Sequence, residues 1–306
     1  MSALTRRAAL AAIPGAAASS CLAEDTAARI EVPARLNRNR QIVIPVSING
    51  SGQLWCLLDT GGANLLYLRP AKAAEMGITA SSEAFSSGAL DTSSRAGGRA
   101  LVALDVGAVH RTNQGLYIKD FQSRDDGVIG SAVFADYVVE LDFRTPALRL
   151  HAPASFPYRG HSTPIACDLW SFNPQVLVSL TLDDSDPVKA RMTVDSGAGG
   201  IADAFVTPRF NEQLRRQGRS IRWAPDKEGW STCRIRRITL GANGMDNPLV
   251  VLPPVQGFGG DTNAPDGMLA VNFLRQYRIY IDYAKKQTIF DPNPADGRVD
   301  ARAAGG

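Results

Sequence analysis

Residues 54–62 read Leu-Trp-Cys-Leu-Leu-Asp-Thr-Gly-Gly, and residues 190–200 read Ala-Arg-Met-Thr-Val-Asp-Ser-Gly-Ala-Gly-Gly. Each is an apolar run that ends in Asp-Thr/Ser-Gly. Such a run predicts a buried strand with a carboxylate at its end, a hydroxyl that can tie down a neighbouring turn, and a glycine that lets a second backbone approach. A single Asp before Thr-Gly is ordinarily a turn residue. Two copies raise the question of whether Asp59 and Asp195 meet.

The surrounding chain repeats around both copies. Asp126-Gly127-Val128-Ile129-Gly130 is mirrored by Asp266-Gly267-Met268-Leu269-Ala270. Asp126 lies 11 residues before Tyr137 and 16 before Asp142, and Asp266 lies 11 before Tyr277 and 16 before Asp282. Phe143 and Tyr283 then fall at equivalent places. Asp59 precedes Asp126 by 67 residues and Asp195 precedes Asp266 by 71. These spacings indicate a duplicated unit of roughly 130 residues. Alternation and turn residues predict strands at 41–48, 53–58, 100–106, 115–119, 137–143 and 148–151 in the first half. The second half has strands at 175–182, 189–194, 230–240 and 249–252. One short helix is expected in each half. Pro70 opens the first, which stops at Gly77, and Pro208 opens the second, which ends at Gly218. Asp126, Asp142, Asp266 and Asp282 read as turn and strand-end residues.

Composition sets the limits. The chain has 306 residues, 44% apolar and 21% charged, with 33 basic against 30 acidic side chains. That balance suits a globular protein and gives no reason to expect a nucleic-acid partner. Arg215-Arg216 and Arg234 to Arg237 read as solvated faces. After the first residues no apolar run is long enough to span a bilayer, so no stable membrane insertion is expected. Arg6-Arg7 before the Ala-rich stretch 8–18 resembles a twin-arginine export signal over residues 1–23, which implies a periplasmic or extracellular protein. Lipid anchoring at Cys21 is the weaker reading of the same stretch. Past the signal, Cys56, Cys167 and Cys233 are too few and too odd in number for a disulfide framework, and no Cys or His spacing suits a metal. The expected organisation is a first lobe at 30–152, a linker at 153–164, a second lobe at 165–294 and a disordered tail at 295–306.

The pattern resembles the aspartic proteases over roughly residues 38–292, most closely the bacterial exported branch of the retropepsin-like group. Each half is similar to a retropepsin-type unit, and two in one chain resemble the bilobal pepsin-like arrangement. The resemblance implies an all-β, bilobal acid-protease fold of two β-barrel-like lobes with pseudo-two-fold symmetry. It implies Asp59 and Asp195 as the catalytic pair, with Thr60 and Ser196 cross-bonding between lobes and Gly61 and Gly197 offering N–H groups near the carboxylates. It further implies a polypeptide substrate, no cofactor, no metal and an acidic optimum. A monomer is expected, because one chain holds the complete pair. Val128-Ile129-Gly130 and Met268-Leu269-Ala270 would pass behind the two loops, with Ala270 where glycine is usual.

A flap over the substrate is expected from 86–99, with Gly97 and Gly98, and from 226–234, with Gly229 and Trp230. No tyrosine lies in 79–99 to serve as it does in the pepsin flap. The rival reading is a catalytically silent exported peptide-binding or scaffold protein with the same fold. Gly62 and Ala270 depart from the usual pattern in its favour. Two carboxylates kept in mutual repulsion favour the enzyme.

Overall fold

The computed structural model describes residues 29–63, 65–86, 95–121, 123–156, 158–183, 186–226, 228–254 and 263–293. The expected export signal, the lipid-anchor cysteine and the tail lie outside them. Three sheets and a few short helices make up the described chain, an all-β architecture of two lobes. No helix among the described residues is long and apolar enough to cross a membrane.

The first lobe is an eight-stranded sheet. Its organising piece is the hairpin of Ile42–Ile48 and Leu54–Asp59, joined by a turn in which Asn49 (φ 53°) and Gly50 (φ 71°) take left-handed conformations. Both strands are mostly buried, which sets the hairpin in the lobe's interior. Gly127–Gly130 lies parallel to Leu54–Asp59, with Asp59 facing Gly130, and antiparallel to Leu66–Leu68. It therefore threads between the two legs of the Asp59 loop. A Cβ on Gly127 would fall 2.6 Å from the Tyr67 carbonyl oxygen, which explains the glycine there. Helix Pro70–Glu75 follows, with proline in its first turn and Gly77 just beyond its end.

The second lobe repeats this plan. Asn173–Thr181 pairs with Val188–Val194. Gly267–Leu269 threads parallel to Val188–Val194 and antiparallel to Ala204–Val206. Gly267 is held to glycine by the Phe205 carbonyl oxygen, 2.1 Å from where a Cβ would sit. Helix Pro208–Arg216 is capped by Thr207, whose Oγ1 accepts from the Phe210 N–H at 3.1 Å, and two arginines close its last turn. The expected strand 230–240 is two strands. Ser231–Arg234 pairs with Leu249–Leu252, whereas Arg237–Leu240 turns to Asn173–Thr181. The break at Ile235-Arg236 is where the chain changes partner.

The third sheet joins the lobes. Its order is Ile30–Pro33, Ala147–His151, Val138–Asp142, Tyr277–Asp282, Gln287–Pro292 and Ile165–Ala166, three strands from each half. Val138–Asp142 and Tyr277–Asp282 meet antiparallel at its centre, with Glu140 facing Tyr280. Every residue of Val138–Asp142 is buried. The segment expected as a linker lies on this sheet: Phe156 and Tyr158 pack on Tyr280 with ring centroids 5.4 Å away in each case.

Asp142 and Asp282 tie hairpin turns at matched places, Asp142 accepting from the N–H groups of Arg144 and Thr145 and Asp282 from that of Lys285. Asp126 and Asp266 are likewise structural. Asp126 accepts from Trp55 N–H and Asp266 from Arg191 N–H, each at 2.9 Å, fastening the start of the threading strand to the strand beside it.

Candidate active site

Each lobe delivers its aspartate at the end of a buried strand, and the backbone around each follows the same rule. Asp59 accepts from the Gly61 N–H at 2.8 Å; Asp195 accepts from Gly197 and Ala198 N–H at 2.9 Å each. The glycines are required by the opposite lobe. A Cβ on Gly61 would stand 2.7 Å from the Asp195 Cγ, and one on Gly197 would stand 2.4 Å from the Asp59 Cγ. The two loops are thus crossed, each glycine lying against the other lobe's carboxyl group. The carboxyl groups of Asp59 and Asp195 come within hydrogen-bonding reach of one another.

Thr60 and Ser196 form the brace beneath. Thr60 N–H donates to Ser196 Oγ at 3.0 Å, and Ser196 N–H to Thr60 Oγ1 at 2.8 Å. Each hydroxyl then donates onward across the interface, Thr60 Oγ1 to the Val194 carbonyl at 2.5 Å and Ser196 Oγ to the Leu58 carbonyl at 2.7 Å. Both residues are fully buried, so all four bonds run in a medium where an unmade one would leave an orphaned polar group.

Burial pushes the carboxyl groups of both aspartates up from the usual carboxylate range. For Asp195 the charge of Asp59 adds to that push, and the Ala198 and Gly197 N–H groups oppose it. Two carboxyls so close share protons as a unit, one ionised and one protonated over a range of pH. Such a pair can hold a water, take a proton from it and give one to an acceptor opposite.

Ala270 occupies the place of Gly130, yet the two tolerate different side chains. A Cβ on Gly130 would fall 1.9 Å from the Ala63 carbonyl oxygen. In the second lobe the strand after the loop begins nine residues beyond Asp195, against seven beyond Asp59. The longer loop, with Gly199 and Gly200, leaves room for the methyl group. Ala270 is fully buried and packs with Ala198, Ala202, Phe205, Val251 and Met268.

The flap candidates divide. Ser82–Ser86 and Arg95–Val106 form a hairpin whose tip, residues 87–94, lies outside the described residues. Gly97 and Gly98 sit in the body of this hairpin, opposite Ala84 and Glu83. Their lack of a side chain answers to packing, since a Cβ would meet the Ile118 carbonyl at 2.9 Å and the Ala80 Cβ at 2.4 Å respectively. A hollow of about 850 Å³ opens beside them, walled by Pro70, Ala74, Ile78, Ser81 and Ile118, with no residue of either aspartate loop in its lining. Gly229 (φ 83°) turns the short hairpin of Ala224–Pro225 and Ser231–Arg234. Trp230 packs on the Ala198–Ala270 cluster beside the second loop. Cys56, Cys167 and Cys233 are free thiols.

Two polar residues outside the motifs also reach the loops. Gln41 Nε2 donates to the Gly197 carbonyl at 2.5 Å, and Asn173 Oδ1 accepts from the Ala63 N–H at 2.6 Å. Neither stands in the Asp-Thr/Ser-Gly pattern. Counting back along the hairpin register from each aspartate would have found both.

The comparisons with known proteins bear on this fold. A family model described as aspartyl protease matches residues 44–133, from the first hairpin to the turn after Gly130. Among solved structures the chain is similar to an aspartic proteinase from Irpex lacteus, with a TM-score of 0.57 and 14% identity, over 87% of this chain and 98% of that one. At that identity the likeness speaks for the fold. No curated protein matches the chain. The two comparisons agree with each other: the family model falls on the first lobe, and the structural likeness extends the same fold over both lobes.

Proposed function

We propose that the chain is an aspartic endopeptidase whose catalytic pair is Asp59 and Asp195. The observation that carries this reading is the crossed packing of Gly61 on Asp195 and Gly197 on Asp59, which holds the two carboxyl groups together. The ionised member takes a proton from a water held between them. The water oxygen attacks the peptide carbonyl carbon, while the protonated member donates to the carbonyl oxygen. The carbon–nitrogen bond of the tetrahedral species then breaks as the member that took the water's proton gives it to the leaving nitrogen and the other member takes back a proton from a hydroxyl of that species, so the pair again holds one proton. No covalent intermediate forms on the chain. The substrate is a polypeptide in extended form, laid across the pair between the Ser82–Ser86 hairpin and the Trp230 side of the second lobe.

The test is cleavage of an unfolded polypeptide across pH 3–7 (about the range in which a carboxyl pair exchanges its proton). Hydrolysis that disappears in both Asp59→Asn and Asp195→Asn and is blocked by a statine-type inhibitor supports the assignment. Hydrolysis that survives either substitution rejects it. Inhibitor binding without turnover of any peptide would favour the silent binder. Export through the twin-arginine-like segment 1–23 belongs to the same reading. It is checked by sequencing the N-terminus of the protein recovered from a periplasmic fraction.

A further inference from the structure

In the first hairpin Val43 faces Leu57 and Ile44 faces Cys56, so the same register sets Gln41 opposite Asp59. In the second, Gln175 faces Thr193 and Val176 faces Met192, which sets Asn173 opposite Asp195. An amide side chain therefore stands directly across the hairpin from each aspartate. Both amides are buried, at 4% and 5% exposure. Each follows a non-glycine residue in left-handed conformation, Arg40 at φ 61° and Phe172 at φ 67°. Both are turn residues, Phe172 in the two-residue turn between Trp170 and Asn173 and Arg40 in the turn closed by the Asn37–Gln41 backbone bond, so each amide stands directly after a tight turn. Both amides cross to the other lobe's loop, Gln41 to Gly197 and Asn173 to Ala63.

The backbone partners define each amide's role. The Gly197 carbonyl can only accept, so Gln41 donates; the Ala63 N–H can only donate, so Asn173 accepts. Gln41 is oriented for this, because its Oε1 accepts from Asn37 Nδ2 at 2.9 Å. The Gly197 carbonyl belongs to the same peptide unit as the Ala198 N–H, which donates to Asp195 Oδ1. Gln41 thus holds one end of a peptide whose other end holds the Asp195 carboxyl. Ala63 stands at φ 53°, with its carbonyl oxygen against Gly130, so Asn173 pins the first loop where a left-handed residue crosses the threading strand.

We propose that Gln41 and Asn173 are positioning residues: a second, outer tier of inter-lobe bonds, one reaching from each lobe, that fixes the Asp59 and Asp195 loops for the reaction. This rests on the endopeptidase reading for its kinetic consequence, but its effect on the carboxyl pair does not require turnover.

The experiment compares wild type with Gln41→Met, Gln41→Glu, Asn173→Leu and Asn173→Asp. The readouts are kcat and KM on an unfolded polypeptide across pH, and ¹³C-carboxyl NMR titration of aspartate-labelled protein, assigned with Asp59→Asn and Asp195→Asn. Gln41→Met should lower kcat by about 10–100-fold with KM within about twofold, as small displacements of reacting groups do. It should also raise the acidic limb of the profile, because the Asp195 carboxylate loses a well-aimed donor. Gln41→Glu should match Gln41→Met when ionised and recover as the pH falls, when its protonated carboxyl can again donate to Gly197. Asn173→Leu should lower kcat, and Asn173→Asp, which still accepts from Ala63, should restore most of it. A purely space-filling role predicts no such opposition between the two acidic replacements. Wild-type kcat and an unmoved acidic limb in Gln41→Met would overturn the proposal, as would an Asn173→Asp as impaired as Asn173→Leu. If wild type cleaves nothing, the endopeptidase reading fails alone. The NMR titration then decides: a raised Asp195 ionisation in Gln41→Met supports the positioning role, and an unchanged one rejects it.

Discussion

Gly61 lies against the carboxyl group of Asp195, the aspartate of the other lobe, so closely that a Cβ would sit 2.7 Å from its Cγ. Gly197 holds the same relation to Asp59, closer still. Neither glycine has a positive φ, so the need is for space alone. Gly197→Ala and Gly61→Ala should each push the carboxyl groups apart and cost about 100-fold or more in kcat, since an ångström of misplacement has that effect. Peptide hydrolysis measured beside thermal melting will check this. Full activity in Gly197→Ala would show that the loops are not packed this way.

The four-bond brace of Thr60 and Ser196 should be strongly coupled. Ser196→Ala leaves the Thr60 N–H and the Leu58 carbonyl without their buried partner. Each single alanine substitution should destabilise the fold by about 1–3 kcal/mol. The double substitution should cost less than the two together, with a coupling of about 0.5–3 kcal/mol in urea unfolding.

Burial raises both dyad carboxyls, so their ionisation works against the folded state. Their contribution is fully present below the ordinary carboxylate range and is lost as pH rises through the elevated folded values. Asp195→Asn, whose Oδ1 still accepts from Gly197 and Ala198 N–H, should therefore be more stable than wild type near neutrality, by on the order of 1–3 kcal/mol. The gain should vanish toward pH 3 (roughly below the model carboxylate range). Melting temperatures of the two proteins across pH give the comparison.

Glu140 shows the opposite sign. Burial pushes it up, but the hydrogen bond from His151 at 2.7 Å and the charge of Arg149, bonded at 2.9 Å, together hold it below its usual value. That contribution is present above the unfolded pKa and lost as pH falls through the folded one. Arg149→Ala leaves the buried Glu140 with His151 and the more distant Arg278 as its partners, and should cost about 1–3 kcal/mol at neutral pH. The penalty should shrink as Glu140 becomes protonated, which chemical denaturation at two pH values will reveal.

Gly130 and Ala270 stand at equivalent places with unequal tolerance. Gly130→Ala would drive a methyl group into the Ala63 carbonyl, 1.9 Å away, and should prevent the first loop from forming. Ala270→Gly removes one buried methyl group and should cost only about 1 kcal/mol. Expression level and melting temperature separate these outcomes.

Much of this was legible because the evidence is local. Asp59-Thr60-Gly61, Asp195-Ser196-Gly197 and the matched intervals of 11 and 16 residues need no tertiary information, and they carry both the duplication and the candidate pair. Pro70, Gly77, Pro208 and Gly218 bound the helices through their own backbone preferences. Non-local partners were harder to see. Ile30–Pro33 is short and half-exposed, and only the edge of Ala147–His151 makes it a strand. The change of partner at Ile235-Arg236 shows in the sequence only as a slip in phase at Arg236-Arg237, where the apolar positions move from Cys233 and Ile235 to Ile238 and Leu240. Gln41 and Asn173 look like ordinary polar residues at or just before the start of a strand until the hairpin register sets them opposite the aspartates.

The central pairing of Val138–Asp142 with Tyr277–Asp282 has one more consequence. Each half of the chain, taken alone, would end in a buried strand with a bare edge that demands a partner. A half-length protein would complete itself only by meeting another copy, and its aspartate pair would dissolve on dilution. Covalent continuity through residues 152–164 replaces that encounter with a fixed local concentration of the second half. The pair in this chain is thereby independent of how much protein is present, and its two sides are free to differ, as Gly130 and Ala270 already do.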